Sequence, residues 1–124
     1  MTPDKIKGYR HLPAFILLTL AQGPGYGAAI LARMREILPL PSLDSGAVYR
    51  TLGALETDGE IEGEWDTSGR GPAKKIYRLT PTGWERLDFW RQDIEYRVAL
   101  LNTFLDAARD VQANRTETTP CPRS

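Results

Sequence analysis

The sequence predicts a mainly α-helical protein with one β-hairpin, and two features of its 124 residues predict it. Most of the chain carries helical patterns of apolar residues, bounded by proline, glycine or a capping residue. One short stretch before the last helical pattern instead alternates between apolar and polar residues, which is typical of strands. The length suits one domain, since domains most often hold about 100–150 residues.

The composition excludes several classes of protein. With 41% apolar residues, the chain is too apolar to be disordered throughout. A single cysteine, Cys121, and a single histidine, His11, leave neither a disulfide framework nor a Cys/His metal cluster, so we expect no metal and no cofactor. No nucleophile–base pair or glycine-rich phosphate loop can be assembled either, which predicts that the protein is not an enzyme.

The first helix is predicted over residues 12–22, after a flexible arm of residues 1–9. Basic residues before it imitate a secretory signal peptide, but Pro13 and Thr19 interrupt the apolar run. This run has ten residues, whereas a membrane span needs about 20. We therefore expect a cytoplasmic protein that does not associate with membranes. The helix is apolar on nearly every side, so we expect its own core to cover one face and a second subunit to cover another.

Two further helices are expected to form a bihelical unit. The second is predicted over residues 26–38 and is ended by the prolines that follow. The third begins at Asp44 or Ser45, either of which can act as N-cap, and it ends before Gly59. This third helix is predicted to bury one face that consists of Val48, Leu52 and Leu55.

The hairpin and the last helix complete the chain. Residues 61–66 and 74–79 are predicted as two strands joined by a long turn. Thr80 as N-cap and Pro81 at the first helical position predict the start of a helix over residues 81–113, about 50 Å long at 1.5 Å per residue. We expect residues 114–124 to form a disordered tail.

A helix of that length carries an apolar stripe that the small domain before it cannot cover, so a second copy of the chain is the expected partner. The residues predicted to form this dimer interface are Leu12, Phe15, Trp90, Ile94, Val98, Leu101 and Leu105.

The order of these elements predicts a winged helix-turn-helix over residues 10–80, followed by a long C-terminal dimerisation helix. The chain also resembles the PadR family of bacterial transcriptional regulators in residues 25–27 (GYG), 45–56 (SGAVYRTLGALE) and 75–83 (KIYRLTPTG). Its single C-terminal helix is similar to that of the short subfamily. The resemblance implies a homodimeric repressor that binds double-stranded DNA at a pseudo-palindromic operator until a small ligand or stress signal releases it.

Segregated charges support DNA binding independently of the resemblance. Residues 56–66 hold six acids and no base, whereas residues 67–84 hold four bases and no acid. We expect the basic turn of the hairpin to contact DNA phosphates and Arg50 to contact a base edge. Arg78 is better explained by pairing with Glu62 or Glu64 on the neighbouring strand. The predicted DNA contacts are Ser45, Ala47, Tyr49, Arg50, Arg70, Lys74 and Lys75.

A ligand site and a second function remain open. Some members of the resembled family stack flat ligands on a tryptophan of the last helix, which implies a site for a small aromatic effector at Phe15, Trp90 and Ile94. Here Trp90 lies about one turn before the equivalent position, and aromatic residues at helical spacing are also typical of a packed core. The alternative function is a winged-helix protein-interaction module that does not read DNA, which the zero net charge favours.

Overall fold

The structure is a computed structural model that describes residues 10–38 and 43–118. The elements are α1 (Leu12–Gln22), β1 (Gly25–Tyr26), α2 (Gly27–Ile37), α3 (Ser45–Thr57), β2 (Ile61–Asp66), β3 (Lys74–Leu79) and α4 (Pro81–Thr118). The expected arm at residues 1–9, the prolines after α2 and Cys121 lie outside the described residues. The chain divides into two compact units, Met1–Asp88 and Phe89–Ser124. We call the first unit the head.

The core of the head lies between α1, α2 and α3. From α1, Ile16 and Leu17 are fully buried, and Ile30 and Met34 of α2 are buried with them. Leu12 is also buried in this core at 2% exposed, so little of its side chain is left for a second copy, and that contact stays a prediction. A helix that is apolar all round does not indicate from sequence which of its residues face the core of its own chain.

The third helix forms as its sequence predicts. Asp44 is the N-cap, because its carboxylate Oδ1 accepts a hydrogen bond of 3.2 Å from the backbone N–H of Gly46. Beyond the other end of α3, Gly59 adopts a φ of +77°, a left-handed conformation that glycine adopts without steric cost. Val48, Leu52 and Leu55 are buried, which confirms the predicted core face of α3.

The sheet has three antiparallel strands in the order β1-β3-β2, and β1 was not predicted. The two predicted strands pair so that Trp65 lies opposite Lys75 and Gly63 lies opposite Tyr77. In β1, Gly25 pairs with Tyr77 and Tyr26 pairs with Ile76. Two residues are too few to show an alternating pattern. This short strand joins the start of α2 to the hairpin, which we call the wing.

The last helix begins as predicted but ends later. The Thr80 hydroxyl accepts a hydrogen bond of 3.0 Å from the backbone N–H of Gly83, as an N-cap does. Because α4 runs to Thr118, the prediction of a disordered tail from residue 114 is wrong for residues 114–118. Those residues are polar, but no proline or glycine among them ends a helix. Residues 119–124 lie outside the described residues.

Much of the apolar surface of α4 is exposed. Trp90 and Ile94 are half-buried, while Val98, Leu101 and Leu105 are exposed. Other exposed apolar side chains of this helix are Trp84, Phe89, Tyr96, Leu100, Phe104 and Val111. In the part of the chain that the structure describes, no helix is long and apolar enough to cross a membrane.

Candidate nucleic-acid interface

One face of α3 is open to solvent. Ser45, Tyr49 and Arg50 are exposed on it, and the guanidinium of Arg50 lies 3.7 Å from the carboxylate of Asp44. The Arg50 side chain is 71% exposed, and an ion pair this exposed holds its arginine weakly. Arg50 can therefore reach a ligand beyond the helix surface.

Ala47 does not belong to this exposed face. It is 5% exposed and lies with the core face of α3, so its side chain offers little surface to DNA, and its contact with DNA stays a prediction. Helical periodicity does not determine whether a residue at the border of a buried face is itself buried or exposed, because each residue is rotated by only about 100° from the previous one.

Tyr49 has two roles in the structure. Its ring packs against the start of α2, where a Cβ atom at Gly27 would lie only 2.6 Å from Cε1 of the ring. The absence of a side chain at Gly27 therefore allows this close approach. Tyr49 nevertheless stays exposed, so it is both a packing residue and a surface residue.

The wing presents two exposed cations. Arg70 lies in the turn between β2 and β3, and Lys74 opens β3 with its Nζ 5.8 Å from the centroid of the Tyr26 ring. Arg78 lies 3.5 Å from Glu64, which confirms the expected pairing with a strand acid. Among the described residues of the wing, Arg70 and Lys74 are therefore the cations most open to a DNA phosphate.

Lys75 differs from its prediction. Its Nζ lies 2.8 Å from Oε1 of Glu56 and about equally far from two rings, 5.7 Å from the centroid of Trp65 and 5.6 Å from that of Tyr77. The hydrogen bond to Glu56 raises the pKa of Lys75 above its ordinary value. Residues 67–84 hold no acid, but folding brings Glu56 of α3 to Lys75. Lys75 thus joins the wing to α3.

A second link joins the wing to the start of α2. The Tyr26 hydroxyl donates a hydrogen bond of 2.6 Å to Asp66, which also accepts hydrogen bonds from the hydroxyl and backbone N–H of Ser68. These bonds, with the Ser68 hydroxyl contributing most, lower the pKa of Asp66 to about 2, and the bond to Asp66 raises that of Tyr26. No local sequence signal indicates a pair 40 residues apart.

Arg33 is a further residue that the sequence reasoning missed. Its guanidinium donates to the backbone carbonyls of Thr19, Gly23 and Pro24, at 2.9, 3.2 and 3.2 Å. These carbonyls lie at the end of α1 and in the turn after it, where helix carbonyls lack partners within the helix. Arg33 therefore fixes the turn that leads into β1 and α2.

The residues predicted for an effector lie in different units. Phe15 is half-buried in the head, whereas Trp90 and Ile94 are half-buried in the second unit. The described residues hold no cluster of His, Cys, Asp and Glu suited to a metal ion. The effector site stays a prediction.

Comparison with known proteins places this architecture in a family. The sequence model of the PadR-like family of transcriptional regulators matches residues 16–88. No curated protein matches the chain in sequence.

Solved structures agree with this match. A PadR family transcription regulator from Clostridium difficile R20291 is 25% identical, with a TM-score of 0.68 over 77% of this chain and 98% of that chain. PadR of Bacillus subtilis, solved in complex with operator DNA, is 30% identical, with a TM-score of 0.59 over 65% of this chain and 47% of that chain. A PadR-like regulator from Bacillus cereus is 25% identical, with a TM-score of 0.67 over 77% of this chain and 91% of that chain. With its winged helix fold and long C-terminal helix, this chain belongs to the PadR-like family of transcriptional regulators, which are not enzymes.

Proposed function

We propose that the protein is a homodimeric repressor that binds double-stranded DNA in a sequence-specific manner. The observation that carries this proposal is the exposed face of α3, where Arg50 extends into solvent close to the N-terminus of the helix. In helix-turn-helix proteins that part of the second helix of the motif contacts base edges in the major groove. The complex of Bacillus subtilis PadR with operator DNA supports the proposal.

The cations divide between two kinds of DNA contact. Arg50 lies on the helix that enters the groove, so it is the candidate for a bidentate bond to guanine. Arg70 and Lys74 lie on the wing, which follows the backbone, so they are candidates for phosphate contacts. Ser45 and Tyr49 are exposed beside Arg50 and can donate hydroxyl hydrogen bonds to phosphate oxygens. Together these contacts give specificity from α3 and affinity from the wing.

The dimer is argued from the exposed apolar side chains of α4. Burying a leucine-sized side chain gains about 1.5–3 kcal/mol, so a paired seam that includes Val98, Leu101 and Leu105 outweighs a substantial association cost. A two-fold dimer presents two copies of α3 to DNA, which predicts two half-sites in a pseudo-palindromic operator.

Release by a small aromatic effector completes the proposed function. The candidate residues are Phe15, Trp90 and Ile94, and the family resemblance supports them. An effector changes DNA affinity only if it binds one arrangement of the two heads better than the other. A tenfold preference corresponds to about 1.4 kcal/mol of coupling between effector and DNA.

The experiment that tests DNA binding is selection of bound duplexes from a random pool, followed by affinity measurements at several salt concentrations. We expect enriched half-sites related by two-fold symmetry and an affinity that falls steeply with salt. A duplex with the same half-sites at an altered spacing serves as the control and should bind less tightly. No enrichment together with no salt-dependent binding would contradict the proposal and favour a protein-interaction module.

A further inference from the structure

A cleft of about 590 Å³ opens in the head between the start of α2, the exposed side of α3 and the wing. The small residues that begin α2 line part of it. Four aromatic residues and two lysines line the rest: Tyr26, Tyr49, Trp65, Tyr77, Lys74 and Lys75. We call this the wing cleft. Its volume lies in the range of small-molecule sites, which is about 300–1,000 Å³.

The aromatic wall of the wing cleft is open to solvent. Trp65 is 63% exposed although it is one of the largest apolar side chains in the head, and Tyr49 across the cleft is exposed as well. Trp65 and Tyr77 lie on the same face of the sheet, where Trp65 is opposite Lys75 and Tyr77 is opposite Gly63. A Cβ atom at Gly63 would lie 2.5 Å from Cε of Lys75, so the glycine lets the lysine stem cross the floor. A flat ring can therefore stack on the exposed side of Trp65.

The wing cleft has an exposed cation at its mouth. Among the described residues, the ionised side chains that line it are the two lysines, and Lys75 is neutralised by Glu56 at 2.8 Å. Lys74 is exposed at the mouth, opposite Asp66 of β2, whose ionised carboxylate attracts it while accepting hydrogen bonds from Tyr26 and Ser68. The Lys74 ammonium is thus the group that meets an incoming carboxylate or phosphate.

We propose that the wing cleft binds a planar aromatic molecule that bears a carboxylate or phosphate, with its ring on Trp65 and its anionic group at Lys74. This site lies wholly within the head and differs from the effector site at Phe15, Trp90 and Ile94. A second part of the proposal rests on the proposed function: because Tyr49 and Lys74 are also candidate DNA contacts, the bound ligand and DNA exclude each other.

The first test is calorimetry on the full-length wild-type protein with four probes. The probes 2-naphthoate and adenosine monophosphate each carry a ring and an anionic group, whereas 2-naphthylmethanol lacks the charge and inorganic phosphate lacks the ring. We expect the better of the two ring-bearing anions to bind about tenfold or more tightly than either incomplete probe. Preference between naphthoate and the nucleotide shows which combination of ring and anionic group fits the cleft better. Equal affinity for 2-naphthylmethanol, or no binding of either ring-bearing anion, would overturn the proposal.

Two substitutions locate the ligand. Trp65→Leu and Lys74→Met should each weaken binding by about tenfold. Trp84→Leu is the matched control, since Trp84 is 53% exposed on α4 and does not line the wing cleft. Equal weakening by all three substitutions, or none by the first two, would overturn the assignment. Fluorine NMR of fluorotryptophan-labelled wild-type protein needs no substitution, and the ligand should shift the Trp65 signal but not that of Trp84.

Competition with DNA is measured by repeating the titration with saturating operator duplex. We expect the apparent dissociation constant of the ligand to rise in proportion to the duplex concentration. An unchanged dissociation constant would overturn mutual exclusion, although calorimetric binding to the free protein would stand. Failure of any duplex to bind would instead contradict the proposed function, so the two failures are distinguishable.

Discussion

Nζ of Lys75 lies 2.8 Å from Oε1 of Glu56, and this contact joins β3 of the wing to the last turn of α3. The rings of Trp65 and Tyr77 flank the ammonium and restrict where it can move. In the proposed function, α3 reads bases and the wing follows phosphates. The pair therefore holds the two parts of the interface at a fixed separation.

We predict that Lys75 affects DNA binding by position rather than by phosphate contact. Lys75→Met should weaken operator binding by about fivefold or more, since it uncouples the wing from α3. The plot of log affinity against log salt should keep its slope, because no released counterion is lost. Fluorescence anisotropy at several salt concentrations measures both quantities. Glu56→Gln serves as the companion variant and should weaken binding in the same way, whereas a reduced slope in Lys75→Met would show a phosphate contact.

The elements were predictable because their signals are local, and the links between them were not. Prolines, glycines and capping residues such as Thr80 mark the ends of helices within a few positions of the residues concerned. The bonds of Lys75 to Glu56 and of Tyr26 to Asp66 join residues 19 and 40 positions apart, and they depend on how the wing folds back. Because no acid lies near Lys75 along the sequence, its charge alone predicts a contact with DNA.

Arg50 should carry base readout. We expect Arg50→Ala to cost about 1–3 kcal/mol of operator binding and to relax the preference at one position of each half-site. The measurement is anisotropy against a set of duplexes that differ singly in sequence. Arg115→Ala, an exposed arginine of α4, is the matched control and should leave the preference unchanged. A uniform loss over all sequences would instead make Arg50 a phosphate contact.

Arg70 and Lys74 should act on all DNA alike. Arg70→Ala or Lys74→Ala should weaken binding to operator and random duplex by similar factors, because phosphates carry no sequence information. Each substitution should also lower the salt slope by about one unit per lost contact. Salt titrations of both variants on both duplexes measure this. Unchanged affinity after combined substitution of Arg50, Arg70 and Lys74 would remove the DNA interpretation of these side chains.

The hydrogen bonds that Asp66 accepts from Ser68 and Tyr26 should make the head sensitive to acid. The pKa of Asp66 is lowered from 3.8 to about 2, so its contribution to the free energy of unfolding is present above pH 3.8 and is lost as the pH falls towards 2. Asp66→Asn should be less stable than wild type at neutral pH, and the difference should shrink over that interval. Urea unfolding at a series of pH values measures the difference. Glu62→Gln, an exposed acid on the same strand, is the control and should show a smaller dependence.

Leu101 should hold the dimer together. Its side chain is 61% exposed on α4, so the fold of one chain does not require it to be buried. Leu101→Asp should place a carboxylate in the proposed apolar seam, where an unpaired charge is strongly disfavoured, and the dimer should dissociate. Sedimentation equilibrium at micromolar concentration reports the mass, and circular dichroism reports whether the helices remain. Asn102→Asp adds the same charge to the neighbouring exposed position and should leave the dimer intact. A well-folded monomer of the wild-type protein at that concentration would show that α4 does not pair, and would remove the two-fold argument for a pseudo-palindromic operator.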